Sequence, residues 1–307
     1  MYQAKAGGRH RFQFFESAMN GRAVERYSIE EGLRLALERH EFALVYQPKV
    51  DAMTGMIIGA EALLRWNHPT RGHVAPITFV PIAEENGTVL QIGEWVLREA
   101  TRQARVWLDA GLSPLTMAVN VSGVEFYGSG FVERVFAILD DTGLDPASLE
   151  IELTESVLMK RADSTAPILA SLRERGIGVA VDDFGIGYSS LGYLRRFPID
   201  VLKIDRSFVS QITRDGDGSS IVAAVITIAR GLKIRVVAAG VETAEQSDFV
   251  RANGCREVQG FLFSQPVSPE RFATLLTVHG VGGVGTPDWP VIRSRGRGGT
   301  RRGVPAG

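Results

Sequence analysis

Carboxylates and amides recur at the ends of short apolar runs. Glu61 closes Ile57-Ile58-Gly59-Ala60, Asn120 closes Met117-Ala118-Val119, and Glu152 and Glu155 flank Leu153-Thr154. Asp182 and Asp183 follow Val179-Ala180-Val181, Lys203 and Asp205 follow Val201-Leu202, and Gln259 follows Glu257-Val258. Unpaired charge at the end of a buried strand is costly, so these groups need balancing partners. Any one of them alone reads as a solvated turn or a helix cap. All of them at one rim read as a site. The set is rich in oxygen and holds neither cysteine nor histidine. His10, His40, His68, His73 and His279 lie outside it, with only His68 following a strand end. Hard oxygen ligands favour Mg²⁺ or Mn²⁺ over Zn²⁺. Successive strand residues face opposite ways, so Asp182 and Asp183 serve one site only where the strand is already turning. Gly185 and Gly187 supply that turn. Two such aspartates can bridge one cation to a second about 3.5–4 Å away, the spacing of two-metal phosphodiester hydrolysis.

Strands and helices in alternation must position these groups. Phe42 to Val50 and Met56 to Leu64 flank the turn Asp51-Ala52-Met53-Thr54-Gly55 and read as a β-hairpin. Strand-like runs follow at 116–121, 149–153, 178–182, 201–204, 235–239 and 257–261. Helical periodicity fills the gaps at 90–108, 164–175, 219–230 and 244–252, and Ser28-Ile29-Glu30-Glu31 reads as a capping box opening a helix. The helix around Ile221 to Ala229 is expected to face the barrel. Repeated β-α units imply a largely parallel sheet covered by helices. With about eight strands, the expected fold is α/β, a modified TIM (β/α)8 barrel with one antiparallel strand, whose site sits at the C-terminal strand ends.

The composition is that of an ordinary globular chain: 307 residues, 45% hydrophobic and 22% charged. A net charge of -1 gives no reason to expect a nucleic acid polymer or an anionic membrane as partner. The single cysteine, Cys255, excludes an internal disulfide, and no stretch is long and apolar enough to insert in a membrane, so a cytoplasmic location is expected. The ends differ from the middle. Residues 1–20 carry basic residues and a Gly-Gly break, and 279–307 form a Gly/Arg-rich tail expected to be disordered.

The motifs resemble those of the EAL domains, bacterial cyclic di-GMP phosphodiesterases. Ala60-Glu61-Ala62-Leu63-Leu64-Arg65-Trp66 contains the signature, and Tyr46-Gln47-Pro48, Asn120-Val121-Ser122, Glu152-Leu153-Thr154-Glu155-Ser156, DDFGIGYSSL, Leu202-Lys203-Ile204-Asp205, Gly240-Val241-Glu242-Thr243 and Gln259-Gly260 follow in order. The resemblance covers about residues 25–278, with the barrel domain placed at 21–278. Residues 1–20 are similar to the end of a preceding GGDEF domain, whose cyclase motif is absent. The resemblance implies Mg²⁺ or Mn²⁺ held by Glu61, Asn120, Glu152 and Asp182, with Asp182 bridging to a second ion also bound by Asp183. It implies that Lys203 contacts the attacking water or the phosphate. Gln47, Arg65 and Gln259 hold the dinucleotide or lie against the water network, and Glu155 anchors the loop from Phe184 to Ser190. Trp66 is expected to pack below the site in preference to stacking on guanine, while Glu242 and Asp205 can orient loops as readily as touch metal. The implied reaction is in-line attack by water on one phosphodiester, giving linear pGpG. A homodimer is compatible with the family.

Two positions depart from the pattern. Ile186 stands where the loop motif carries threonine, and Ala239 stands where the strand Ala238-Ala239-Gly240-Val241-Glu242 normally supplies a glutamate to the second metal. Losing even an outer-shell partner typically costs about 10–100-fold in metal affinity or activity, so the expectation is an impaired phosphodiesterase. The alternative is a catalytically inactive cyclic di-GMP receptor. A barrel that only binds protein is disfavoured by the intact Arg65, Asn120, Asp182 and Lys203.

Overall fold

A computed structural model describes residues 17–112, 115–185, 191–212, 217–280 and 289. The chain opens with helix α1 (Ser17–Ala36), followed by strands β1 (Phe42–Asp51), β2 (Ile57–His68) and β3 (Gly72–Val74). Helices α2 (Pro76–Asn86) and α3 (Val89–Asp109) lead to β4 (Thr116–Asn120), then α4 (Gly123–Phe126), α5 (Phe131–Thr142) and β5 (Leu149–Thr154). Next come α6 (Glu155–Lys160), α7 (Ala162–Glu174), β6 (Gly178–Phe184), α8 (Leu191–Arg196), β7 (Val201–Ile204), α9 (Arg206–Val209) and α10 (Asp217–Gly231). The last elements are β8 (Arg235–Ala239), α11 (Ala244–Ala252), β9 (Glu257–Gln259) and α12 (Pro269–His279).

The sheet runs β1-β9-β8-β7-β6-β5-β4-β2-β3 and closes through an additional β1–β2 pairing. Eight strands thus form the barrel, with β3 appended to β2 outside it. Strand β1 is antiparallel to both neighbours, Gln47 opposite Glu61 on β2 and Val50 opposite Val258 on β9. The other barrel pairs are parallel. The fold is therefore α/β, a modified TIM barrel with one antiparallel strand, as its alternating pattern dictates.

Alternation along each strand divides the interior in two. Met117, Val119, Ile151, Leu153, Val179, Val181, Leu202 and Ile204 join the core beneath the helices. Ala180, Val201 and Val237 form a separate buried cluster, with Glu152, Asp182, Lys203 and Ala239 two residues further along their strands or on neighbouring ones. Small apolar side chains thus fill part of the barrel interior, leaving charged ones above them to pair with each other.

Several expectations change. Ser28 does not open a helix: α1 begins at Ser17, before the described side chains, and carries Ile29, Leu33 and Ala36 into the core. Sequence cues for a cap are satisfied equally by a Ser and Glu on one exposed helix face. Strand β6 extends to Phe184, whereas β9 stops at Gln259 because the chain turns at Gly260. Helix α10 buries Val222, Val225, Ile226 and Ala229, but Ile221 at its flank is exposed. Helix α12 runs through His279, one residue past the expected domain boundary, and His279 is buried. Beyond it Trp289 stacks on His279 with ring centroids 4.1 Å apart and donates from Nε1 to the Gly55 carbonyl at 3.0 Å. Of the expected tail 279–307 only His279, Gly280 and Trp289 are described, and His279 belongs to α12; the rest lies outside the described residues, as do residues 1–16 of the expected N-terminal remnant. Among the described residues, no helix is long and apolar enough to cross a membrane.

Candidate active site

Glu61, Glu152 and Asp182 offer carboxylate oxygens that all lie within 4.8 Å of one another; Glu152 and Asp182 sit near the C-terminal ends of β5 and β6, whereas Glu61 does not close its strand, since β2 continues to His68. The Lys203 ammonium projects from β7 into their midst. It donates to Glu152 Oε2 at 2.5 Å, Asp182 Oδ2 at 2.9 Å and Glu61 Oε2 at 3.3 Å. Asn120 Nδ2 donates to Glu61 Oε1 at 2.7 Å, and Gln259 Nε2 donates to Glu61 Oε2 at 2.7 Å and to Gln47 Oε1 at 3.1 Å. Gln47 in turn donates to the Ser264 carbonyl at 3.1 Å. The residues singled out at separate strand ends therefore meet at one mouth.

Asp183 shows how two adjacent aspartates are presented there. Its φ is +55°, in the left-handed region that non-glycine residues adopt at a cost, and the β6–β7 register breaks between Val181 and Phe184. The strand turns at Asp183 itself, two residues before the expected glycine. The Asp183 amide donates to Asp182 Oδ1 at 2.8 Å, leaving its own carboxylate exposed. Gly185 completes the turn at φ +98°, and its amide donates to Glu155 Oε2 at 3.3 Å. Glu155 is buried and its Oε2 reaches the start of the loop after β6, while its Oε1 has no hydrogen-bond partner among the described residues. Ile186, Gly187 and the rest of that loop to Ser190 lie outside the described residues.

A cavity of about 250 Å³ opens over the cluster, bordered by Gln47, Glu61, Asp182, Asp183, Lys203 and Ala239. Asp205 and Glu242 also reach it; Asp205 caps α9 by accepting from the Ser207 amide, and Glu242 pairs with Arg206 at 2.8 Å. Arg65 is not in this cavity. It borders a neighbouring, mainly apolar one of about 330 Å³ together with Asn120, and its guanidinium donates to the Leu64 carbonyl at 2.8 Å. Trp66 is fully buried against Phe42 and Phe79, its Nε1 donating to Glu41 Oε2 at 2.9 Å; it is closed to a base as expected, but it sits further along β2 than Glu61 and not below the site.

The charges in the cluster do not cancel locally. Burial opposes ionisation of Glu61, but the Lys203 and Lys49 ammoniums and the Gln259 and Asn120 donors bring its carboxyl down to about 2. For Glu152 burial dominates, reinforced by the Glu61 and Asp182 carboxylates, and the group rises to about 7 despite both lysines. Burial disfavours charge on Lys203 too, yet Glu152, Glu61 and Asp182 hold it well above the ordinary lysine range. Asp183, although exposed at the rim, is raised by partial desolvation and by the Asp182 carboxylate. The carboxylates of Glu61, Glu152, Asp182 and the adjoining Asp183 outnumber the Lys203 and Lys49 ammoniums that face them, the condition in which a hard cation is drawn in. The donor set, carboxylates and an amide with no sulfur or imidazole, fits Mg²⁺ or Mn²⁺.

Sequence reasoning missed the layer beneath. Lys49 on β1 is buried and donates to Glu150 Oε1 at 2.6 Å and Glu152 Oε1 at 2.8 Å. Arg235 continues the alternation downward, pairing with Glu150 at 3.1 Å and Glu257 at 2.9 Å. The available signal was Glu150 and Glu152, two residues apart on a buried strand and so on one face, needing cations from elsewhere.

Comparison with known proteins places this geometry. Residues 30–266 match the family described as EAL domain. The chain belongs to the EAL domain family. It is 47% identical over 271 residues to a bifunctional diguanylate cyclase/cyclic di-GMP phosphodiesterase, MucR, of Pseudomonas aeruginosa, covering 88% of this chain and 40% of that protein. It is 43% identical over 267 residues to the cyclic di-GMP phosphodiesterase NbdA of the same organism, covering 87% of this chain and 34% of that one. The chain thus spans roughly a third to two fifths of these relatives. Among solved structures, a Pseudomonas aeruginosa MucR phosphodiesterase in complex with cyclic di-GMP superposes with a TM-score of 0.78 at 46% identity, covering 80% of this chain and 99% of that one. This EAL domain shares with them the barrel and the family's length of match.

Proposed function

We propose that this EAL domain hydrolyses cyclic di-GMP to linear pGpG in a Mg²⁺- or Mn²⁺-dependent reaction, with turnover held down by Ala239. The observation that carries the reading is the convergence of Glu61, Glu152 and Asp182 around Lys203 at the barrel mouth. Glu61, Asn120, Glu152 and Asp182 would hold one ion, and Asp182 and Asp183 a second. When bound, such ions lower the pKa of water and offset charge developing on the phosphate. Glu152, Glu61 and Asp182 hold Lys203 charged in the metal-free cluster, and its ammonium would offer positive charge to a phosphate oxygen beside them. Gln259, itself fixed by Gln47, donates to Glu61 from the β9 side, while Asn120 donates to it from the β4 side. Arg65, which borders the second cavity, would meet the far end of a dinucleotide. Glu155 ties the loop after β6 to the rim through Gly185. Ala239 borders the cavity on the β8 side with a methyl group in place of a carboxylate, which lowers the ligand count for the second ion.

The test is separation of nucleotides by chromatography after incubation with cyclic di-GMP and Mn²⁺. Slow pGpG formation abolished by EDTA, and faster formation by Ala239→Glu, are expected. Tight nucleotide binding with no pGpG from either protein would overturn the reading in favour of a receptor.

A further inference from the structure

The charged layer below the mouth has a geometry that bears on the metal ligands above it. Lys49 is 2% exposed, and the two glutamates it touches, Glu150 and Glu152, are 2% and 1% exposed. Its stem lies alongside Gly59: a Cβ there would sit in ordinary contact with Lys49 Cβ and Cδ, at 3.5 Å, and close against the Thr116 carbonyl at 3.0 Å. Gly59 and Glu61 share one face of β2 and Lys49 pairs with Gly59, so Lys49 lies one step below a cluster carboxylate.

The two oxygens of Glu152 are held by different lysines. Oε1 accepts from Lys49 and Oε2 from Lys203, so the carboxylate plane is fixed between the lower and upper layers. Lys49 is itself fixed from below, since Glu150 Oε1 accepts from it while Glu150 Oε2 accepts from Arg235. Three contacts joining Arg235, Glu150, Lys49 and Glu152 therefore set which oxygen the cluster receives. Such outer partners orient ligands and keep them ionised.

We propose that Lys49 is a positioning residue: by engaging Glu152 Oε1 from beneath, it aims Oε2 into the cluster of Glu61, Asp182 and Asn120 and so sets the affinity for a divalent cation there. This rests on the metal-dependent reading above. Lys49 touches neither substrate nor cation, and its effect passes through Glu152. The role differs from that of a simple counter-ion for Glu150, which Arg235 already partners.

The test compares Mn²⁺ affinity, by calorimetry and by electron paramagnetic resonance without nucleotide, for the unaltered chain, Lys49→Met and Lys49→Met/Glu150→Gln. The double variant removes the lower charge together with its partner, so it keeps the layer neutralised and the barrel folded. Both variants are expected to bind Mn²⁺ about 10–100-fold more weakly than the unaltered chain, the usual cost of losing an outer partner. The double variant is expected to remain weak even where its melting temperature recovers. Recovery of affinity in the double variant, or unchanged affinity in Lys49→Met, would overturn the assignment while leaving the metal reading standing. Absence of Mn²⁺ binding by the unaltered chain would overturn both.

Discussion

Replacing Lys203 by methionine isolates what holds the cluster together in the absence of any ion. Methionine has nearly the same length and leaves little void, so the change removes charge with little change in packing. The structure assigns Lys203 three carboxylate contacts, at 2.5, 2.9 and 3.3 Å, with Lys203 only 3% exposed. Breaking a buried pair by removing one partner typically costs about 3–5 kcal/mol, because the remaining charge is stranded. At about 2–4 °C per kcal/mol for a domain of this size, the melting temperature should fall by about 6–20 °C. The pH dependence follows from linkage. In the unaltered chain the folded Lys203 has a raised pKa, so its contribution is present below the ordinary lysine value and is lost only as pH rises through the folded value. In Lys203→Met the stranded carboxylates have folded pKa values raised above their unfolded ones. Their penalty is absent below the unfolded carboxylate range and grows as pH rises. Thermal unfolding in EDTA at pH 8 and at pH 5 should therefore show the larger defect at pH 8. A defect under about 1 kcal/mol, the scale of an exposed pair, or one that grows on acidification, would refute the account.

Three further outcomes are expected. Glu125, buried under α3, has its carboxyl pushed by burial to about 7 against its Ser122 donors, so its folded state favours the proton and stability declines as pH rises from the unfolded value through 7. Glu125→Gln should flatten that decline and stabilise the chain at pH 8 by up to about 3 kcal/mol, at roughly 1.4 kcal/mol per pKa unit; urea titrations at pH 5 and 8 check it. Gly93→Ala places a Cβ 1.5 Å from Glu125 Oε1 and should cost about 1–3 kcal/mol, read as a lowered melting temperature that Glu125→Ala suppresses. Asp183→Gly relieves a left-handed backbone and should leave stability equal or higher by up to about 1 kcal/mol, yet reduce pGpG formation, separating a strained ligand from a structural residue.

The rim was legible in the sequence because strand parity is strict. Once Ile57–Ala60, Met117–Val119 and Val179–Val181 are read as strands feeding one barrel, Glu61, Asn120 and Asp182 must emerge at the same end. Lys49 was not legible. It lies inside an ordinary strand run, and its partners come from β5 across the barrel, a contact that depends on closure and register rather than on neighbours in sequence. The same holds for the turn at Asp183. Gly185 and Gly187 are the obvious hinge by composition, but tertiary pairing with Ile204 forces the break two residues earlier. Strand β3 is three residues long and carries no periodic signal, and Arg65 turned toward a second cavity that only packing of α2 and α3 creates.

The indole of Trp289 bears on where this protein can be cut. A truncation placed at the change in composition, after Val278, would remove the His279 ring, the indole stacked on it and the hydrogen bond that ties both to the hairpin at Gly55, and would leave the Phe263 ring uncovered. Shortened versions ending there should be prone to self-association, whereas versions keeping Trp289 retain their own cover for that apolar floor.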